Sequence, residues 1–182
     1  MSFLLKKFSD VGFLHLIAVE LEGWCYWLFN SVPGAVGIFL RNVFYKLFFK
    51  KKKGVFWVQP RVTICESMNF SVGKNCAVNT GSYINAKGGI TFGDYVLVGA
   101  NVVISSGKHP IEGREPSVFE RPTEPLPIVV ENDVWIGANA VIMPGVTLRK
   151  GTVVGAGAIV THDTEEYAVV VGVPAKRIRY RM

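Results

Sequence analysis

Residues 130–160 read V-ENDVWI-GANAVI-MPGVTL-RKGTVV-GAGAIV, so an aliphatic side chain stands at Val130, Ile136, Ile142, Leu148, Val154 and Val160, every sixth position. The residue after each is usually small, and the fourth after it is Val134, Ala140, Val146, Thr152 or Ala158. A helix repeats its apolar face every three to four residues and a half-buried strand every two, and neither template fits this length. A period of six points to a β-solenoid, in which the core is made of stacked coils.

The series runs upstream through Val72, Val78, Ile84 and Ile90, then re-phases by two residues to Phe92, Val98 and Ile104. Val58, Ile64 and Phe70 precede it, with another two-residue slip before Val72. Such slips predict an enlarged corner in the coil, and the solenoid is expected to begin near residue 55. Between Ile104 and Val130 the pattern stops. Residues 107–127 hold five prolines and seven charges. Proline donates nothing to a sheet ladder, so this segment is an inserted loop that leaves the coil wall. Loops of this length in compact domains are usually functional or disordered.

The 182 residues fit one solenoid domain plus an appendage. Charge is unevenly placed. Residues 1–61 carry nine Lys or Arg against Asp10, Glu20 and Glu22, which is the whole net +6, whereas the remainder balances at eleven of each sign. The basic balance therefore describes the appendage, and the solenoid offers no basic face or motif for nucleic acid. Cys25, Cys65 and Cys76 form no CxxC pair and read as packing residues in a reducing compartment. The first apolar run is interrupted by acids and lacks a clear cleavage site, so a cytoplasmic site of action is expected.

The expected organisation is an N-terminal helical region over 1–54, the solenoid over 55–170 and a basic segment over 171–182. In the first part, Phe13, Leu14, Ile17, Ala18 and Leu21 have helical spacing, and Gly23 to Leu40 carries no formal charge. That run just reaches spanning length, but Asn30, Ser31, Pro33, Gly34 and Gly37 break it. Two readings stand: a helical hairpin in the membrane interface at the inner face, its Lys50 to Lys53 run attracted to anionic headgroups, or helices packed on the solenoid's open end.

Several motifs carry a family resemblance: Val78-Asn79, Phe92-Gly93-Asp94, His109-Pro110, Asp133 to Ala138, Met143-Pro144-Gly145-Val146, Val154 to Gly157 and Gly172 to Lys176. Residues 72–182 resemble the hexapeptide-repeat acyltransferases, left-handed parallel β-helix enzymes that include maltose, galactoside, serine and antibiotic O-acetyltransferases. The N-terminal part is similar to the polysaccharide-modifying branch. The handedness is implied by the resemblance, since the general crossover rule favours the right hand.

His109 opens the inserted loop. An imidazole accepts a hydroxyl proton near neutral pH, and in the similar enzymes the corresponding histidine is the general base for direct attack on acetyl-CoA. Its ring needs an orienting partner, for which Glu66, Glu112, Glu115 or a backbone carbonyl are candidates. The resemblance implies that Asn79 faces the acceptor sugar; the alternative is an Asn stacked in a corner. It implies that Trp135 walls the pantetheine channel, unless Trp135 packs under the returning loop. Gly137, Ala138 and Ala156 are small where coenzyme A would approach, and their backbone N–H groups are candidate oxyanion donors. Lys176 and Arg179 match positions that meet the nucleotide phosphates. Gly155-Ala156-Gly157 lacks the third glycine of a dinucleotide fingerprint.

A solenoid face is shallow, so the binding groove has to come from a neighbour. This agrees with the homotrimers implied by the resemblance. The expectation is an acetyl-CoA-dependent O-acetyltransferase acting on a sugar hydroxyl or lipid-linked glycan in surface polysaccharide or glycolipid synthesis, with no metal. An N-acetyltransferase on a nucleotide-linked amino sugar and a non-catalytic scaffold are the alternatives. The solenoid also resembles γ-class carbonic anhydrases, but those need three histidine ligands, and His15 lies in the appendage while His162 is near the solenoid's end.

Overall fold

A computed structural model describes residues 13–182, with side chains from residue 16 onward. The first twelve residues of the expected helical region, and the side chain of His15, lie outside the described part.

Two helices, α1 (Phe13–Asn30) and α2 (Gly34–Phe48), precede a parallel β-helix with three walls. The first wall stacks Lys51–Lys52, Phe70–Val72, Ile90–Phe92, Ile128–Val130 and Thr147–Leu148. The second stacks Phe56–Val58, Cys76–Val78, Leu97–Val98, Trp135–Ile136, Val153–Val154 and Ala168–Val171, and the third Thr63–Cys65, Tyr83–Asn85, Val103–Ser105, Val141–Ile142 and Ile159–Val160. Lys51 pairs with Ser71, so the first rung lies slightly before residue 55. The basic C-terminal segment is not a loose tail: Lys176–Tyr180 returns antiparallel along Ala168–Val171 and closes the second wall.

The sixfold period is the spacing of successive walls. Each hexapeptide sends two residues inward, such as Val134 with Ile136 or Val146 with Leu148, and all four are buried. The two-residue slips fall between the third wall and the first, where Ile64 gives way to Val72 and Ile84 to Phe92. Early rungs are therefore 20 residues apart, as in Ser71 with Thr91, and later ones 18, as in Val129 with Thr147. The longer coils enclose more space, and Phe56, Phe70 and Phe92 fill it, whereas Ile, Leu, Val and Ala suffice in the shorter coils. The inserted loop leaves from this same enlarged corner.

The open N-terminal end is capped by α2 and its end, where Tyr45 and Phe49 stack on Phe56 and Phe70 at ring separations of 4.9–6.3 Å and Phe44 packs on Tyr45 at 5.1 Å. Aromatic pairs of this kind contribute about 1 kcal/mol each beyond area burial. The buried Arg41 fixes the hairpin: its guanidinium donates to the carbonyls of Phe29, Val32 and Val58 at 2.8–2.9 Å.

The outer faces differ. Outward positions of the second wall form an apolar ladder, Trp57, Ala77, Leu97, Trp135, Val153 and Val169. Those of the third wall include Tyr83, Val103, Val141 and Ile159. The first wall presents Lys51, Ser71, Thr91, Val129 and Thr147 and is mainly polar.

Candidate active site

Strand alternation along Val103–Ser105 turns Ile104 inward and leaves Val103 and Ser105 facing outward. At the next residue the chain prepares to leave the coil. The Ser106 hydroxyl donates to the Asn85 carbonyl at 2.9 Å and accepts the Gly88 N–H at 2.9 Å, while the Ser106 carbonyl accepts the Leu126 N–H at 2.8 Å. One buried serine thus clasps both ends of the inserted segment. Gly88 is required there, because a Cβ would stand 2.2 Å from the Ser106 carbonyl oxygen.

Gly107–Lys108 then pairs antiparallel with Glu124–Pro125, so the expected loop is an arm with a two-stranded stem. Its outer part folds around the buried Arg121, whose guanidinium donates to the carbonyls of Pro110, Glu112, Gly113 and Pro116 at 2.6–3.2 Å. His109 lies between the stem and this core. It is exposed and lines a groove with Ser105, Leu126, Met143, Pro144 and Thr161.

Glu66 lines a separate cleft beneath α1, with Tyr26 and Cys65. Glu112 and Glu115 are exposed on the arm. The polar neighbours in the groove are Ser105, Lys108 and Thr161, and Thr161 Oγ1 shares a 2.8 Å hydrogen bond with His162 Nδ1.

Asn79 follows the second wall's strand at the corner leading to the third wall, its N–H bonded to the Val98 carbonyl, and within one chain it lies outside the His109 groove, as Trp135 does. On the third wall Asn85 pairs in register with Ser105, and its side-chain oxygen accepts the Lys87 N–H at 3.0 Å. The sequence alone does not single out Thr161 or Met143, since only the stacking of coils brings them into the His109 groove.

A second concavity lies on the second wall. Trp135 is 52% exposed there and stands with Tyr95, Leu97, Val153 and Arg179. The exposed ring does not pack under the arm. The C-terminal cations divide into two sets. Arg177 pairs with Glu165 at 3.4 Å and Arg181 with Asp133 at 2.9 Å, whereas among the described residues Lys176 and Arg179 have no carboxylate partner. Within one chain Trp135 and His109 belong to different walls.

The three small residues also divide. A Cβ on the buried Gly137 would lie 2.6 Å from the Ala156 nitrogen and 2.8 Å from the Val154 carbonyl oxygen, so coil stacking alone demands glycine. Ala138 is half-buried and Ala156 exposed, and among the described residues neither N–H donates to a backbone carbonyl. Among the described residues no cluster of three His, Cys, Asp or Glu side chains is placed to hold a metal ion.

The family model for the hexapeptide repeat of succinyl-transferase matches residues 70–106 and 127–162, which brackets the arm. The galactoside O-acetyltransferase of Escherichia coli K12 is 38% identical over 123 residues, 68% of this chain and 60% of that protein. The chain thus aligns with about three fifths of that curated relative's length. A solved galactoside acetyltransferase in complex with coenzyme A is 33% identical with a TM-score of 0.82, covering 90% of this chain and 80% of the other. A hexapeptide-repeat-containing acetyltransferase from Vibrio cholerae, complexed with acetyl coenzyme A, is 25% identical with a TM-score of 0.81 over 93% and 90% of the two chains.

Proposed function

The chain belongs to the hexapeptide-repeat acyltransferases, and from that premise we propose that it moves an acetyl group from acetyl-CoA to a hydroxyl of a sugar, with His109 as general base. The observation that carries this reading is the His109 groove: an exposed imidazole on a braced arm, above a floor of Ser105, Met143 and Thr161.

In the proposed reaction the imidazole accepts the proton of the acceptor hydroxyl as its oxygen attacks the thioester carbon. The tetrahedral intermediate collapses, the carbon–sulfur bond breaks, and the same proton passes to the departing thiolate. No acyl-enzyme is needed, and none of the three cysteines lines the groove. Asn79, at the corner that leaves the second wall, is read as the amide that holds a second hydroxyl of the acceptor from the neighbouring copy. Lys176 and Arg179 supply cations for the nucleotide phosphates, and the N–H groups of Ala138 and Ala156 supply donors along the thioester arm.

The site is completed by a second copy of the chain. A trimer in which the second wall of one copy meets the third wall of the next brings Trp135 and Arg179 opposite His109. The two apolar outer ladders support this arrangement, since a polar first wall is left for solvent. The arm's exposed Ile111, Val118 and Phe119 fit the same role, as contacts reaching a neighbour. In surface polysaccharide or glycolipid synthesis the acceptor would be a glycan or its lipid-linked precursor.

The test is a panel of neutral and amino sugars incubated with acetyl-CoA, with products identified by mass and treated with mild alkali. Alkali-labile acetylated sugars formed by wild type, and lost by about a hundredfold or more in His109→Ala, are the expected result. Alkali-stable amides would move the acceptor to an amine, and unchanged turnover in His109→Ala would remove the base from its role.

A further inference from the structure

The N-terminal hairpin has a second apolar side that the fold leaves uncovered. On α1, Glu22, Cys25, Tyr26 and Phe29 face the solenoid, yet Ile17, Leu21, Trp24 and Leu28, on the opposite face, are apolar and exposed. On α2, Gly37, Arg41, Phe44 and Tyr45 are buried, and Val36, Phe39, Val43 and Leu47 form the opposite stripe. The exposures are large: Trp24 66%, Trp27 72%, Phe39 67% and Leu47 76%. An ordinary surface helix is polar on its outer side, and a helix apolar all round is one that is buried all round. Among the described residues no helix is long and apolar enough to cross a membrane, so burial by spanning is not available to this pair.

The charges around these stripes say what covers them. Lys46 flanks the α2 stripe, and Lys50, Lys51, Lys52 and Lys53 follow it at once; all but Lys52 are exposed. Burial and the nearby Lys46 ammonium hold Lys52 below the ordinary lysine range, so a lysine of the helix and one of the strand feel each other. No ion pair to any of these five lysines is made among the described residues. Lysines gathered in this way repel one another and need an anionic counter-surface. Trp24 and Trp27, edge to face at 6.3 Å, are of the type that sits at headgroup level, where an apolar ring and a polar N–H are both accommodated.

We infer that the outer face of the α1–α2 hairpin docks on an anionic lipid bilayer, its apolar stripes entering the interface and the Lys46 and Lys50–Lys53 cluster meeting the headgroups. This holds whatever the acceptor of the acetyl group. The helices lie in the interface, while their inner faces, fixed by Arg41, keep the solenoid attached and in water.

The test is flotation of the full chain with vesicles of phosphatidylcholine alone or of equimolar phosphatidylcholine and phosphatidylserine, with tryptophan emission as a second reading. The expected result is binding to the anionic vesicles at least about tenfold stronger than to neutral ones, weakening with salt, with a blue shift of emission. The double variant Phe39→Glu, Leu47→Glu, and separately the triple variant Lys50→Gln, Lys51→Gln, Lys53→Gln, are each expected to lose about tenfold or more. These side chains are exposed, and circular dichroism with light scattering verifies that fold and oligomer are unchanged. Failure of wild type to float with either vesicle overturns the inference. So does flotation that neither variant weakens. A double variant that changes the oligomer's mass, with wild type not bound to vesicles, would assign the face to a second copy instead.

Discussion

Ser106 and Arg121 brace the arm that carries His109: one clasps the arm's two ends and the other gathers four carbonyls of its outer part. Arg121→Ala is therefore expected to lower turnover by about tenfold or more while the melting temperature stays within a few degrees, because the arm lies outside the coil core. Kinetics alongside thermal unfolding check this, and an unchanged turnover would show that the arm needs no brace. At the phosphate end, Lys176→Ala and Arg179→Ala should each weaken acetyl-CoA binding by about tenfold, as read by calorimetry. Arg177→Ala, whose guanidinium pairs with Glu165, should leave it within about twofold. Cys76 makes a separate prediction. Burial pushes its thiol up, so the folded state binds the proton more tightly than the unfolded chain. That contribution to stability is present below the thiol's ordinary range and is lost as pH rises through its raised value. Urea midpoints should accordingly fall on the alkaline side of the thiol range, and Cys76→Ala should flatten that fall.

At the scale of elements, the hexapeptide series was legible because it records a backbone fact: each wall takes six residues and turns two inward. Even the two-residue slips had a definite meaning, the enlarged corner between the third and first walls. What the linear chain did not disclose was which outward residues stack. Asn79 and Asn85 are six apart and occupy equivalent places on successive walls, and only the register shows that Asn85 stacks under Ser105 on the third wall. Gly137 likewise reads as a ligand-facing small residue until the neighbouring coil's Ala156 and Val154 are seen to exclude any side chain. The hairpin was ambiguous between packing on the solenoid and meeting a membrane because its helices are apolar on both faces. Arg41 joins it to the first coil through three carbonyls. Arg41→Ala should cost about 3 kcal/mol by removing the guanidinium donors from the Val32 and Val58 carbonyls and leaving Phe29 only its contact with the Val32 N–H, and Arg41→Lys should restore only part, since an ammonium does not reproduce the planar fork. Denaturant midpoints of the three proteins check both statements.

For the whole molecule, the walls divide the work. The first is polar and suits solvent, the second carries Trp135 and the unpaired Arg179, and the third carries the His109 groove. Closure into a threefold ring repeats one second-wall to third-wall contact and gives three sites. Solenoids joined with their axes parallel would also bring three hairpins to one end, where three weak contacts with a flat surface reinforce one another. Sedimentation is expected to show three copies of the 20.1 kDa chain, and a monomer that retains full turnover would contradict a shared site. The most direct measurement is acetyl-CoA titration by calorimetry into wild type and His109→Ala, paired with release of the coenzyme thiol in the presence of an acceptor sugar. The account predicts that both proteins bind acetyl-CoA and only wild type releases thiol at an appreciable rate; absence of binding in both would contradict it.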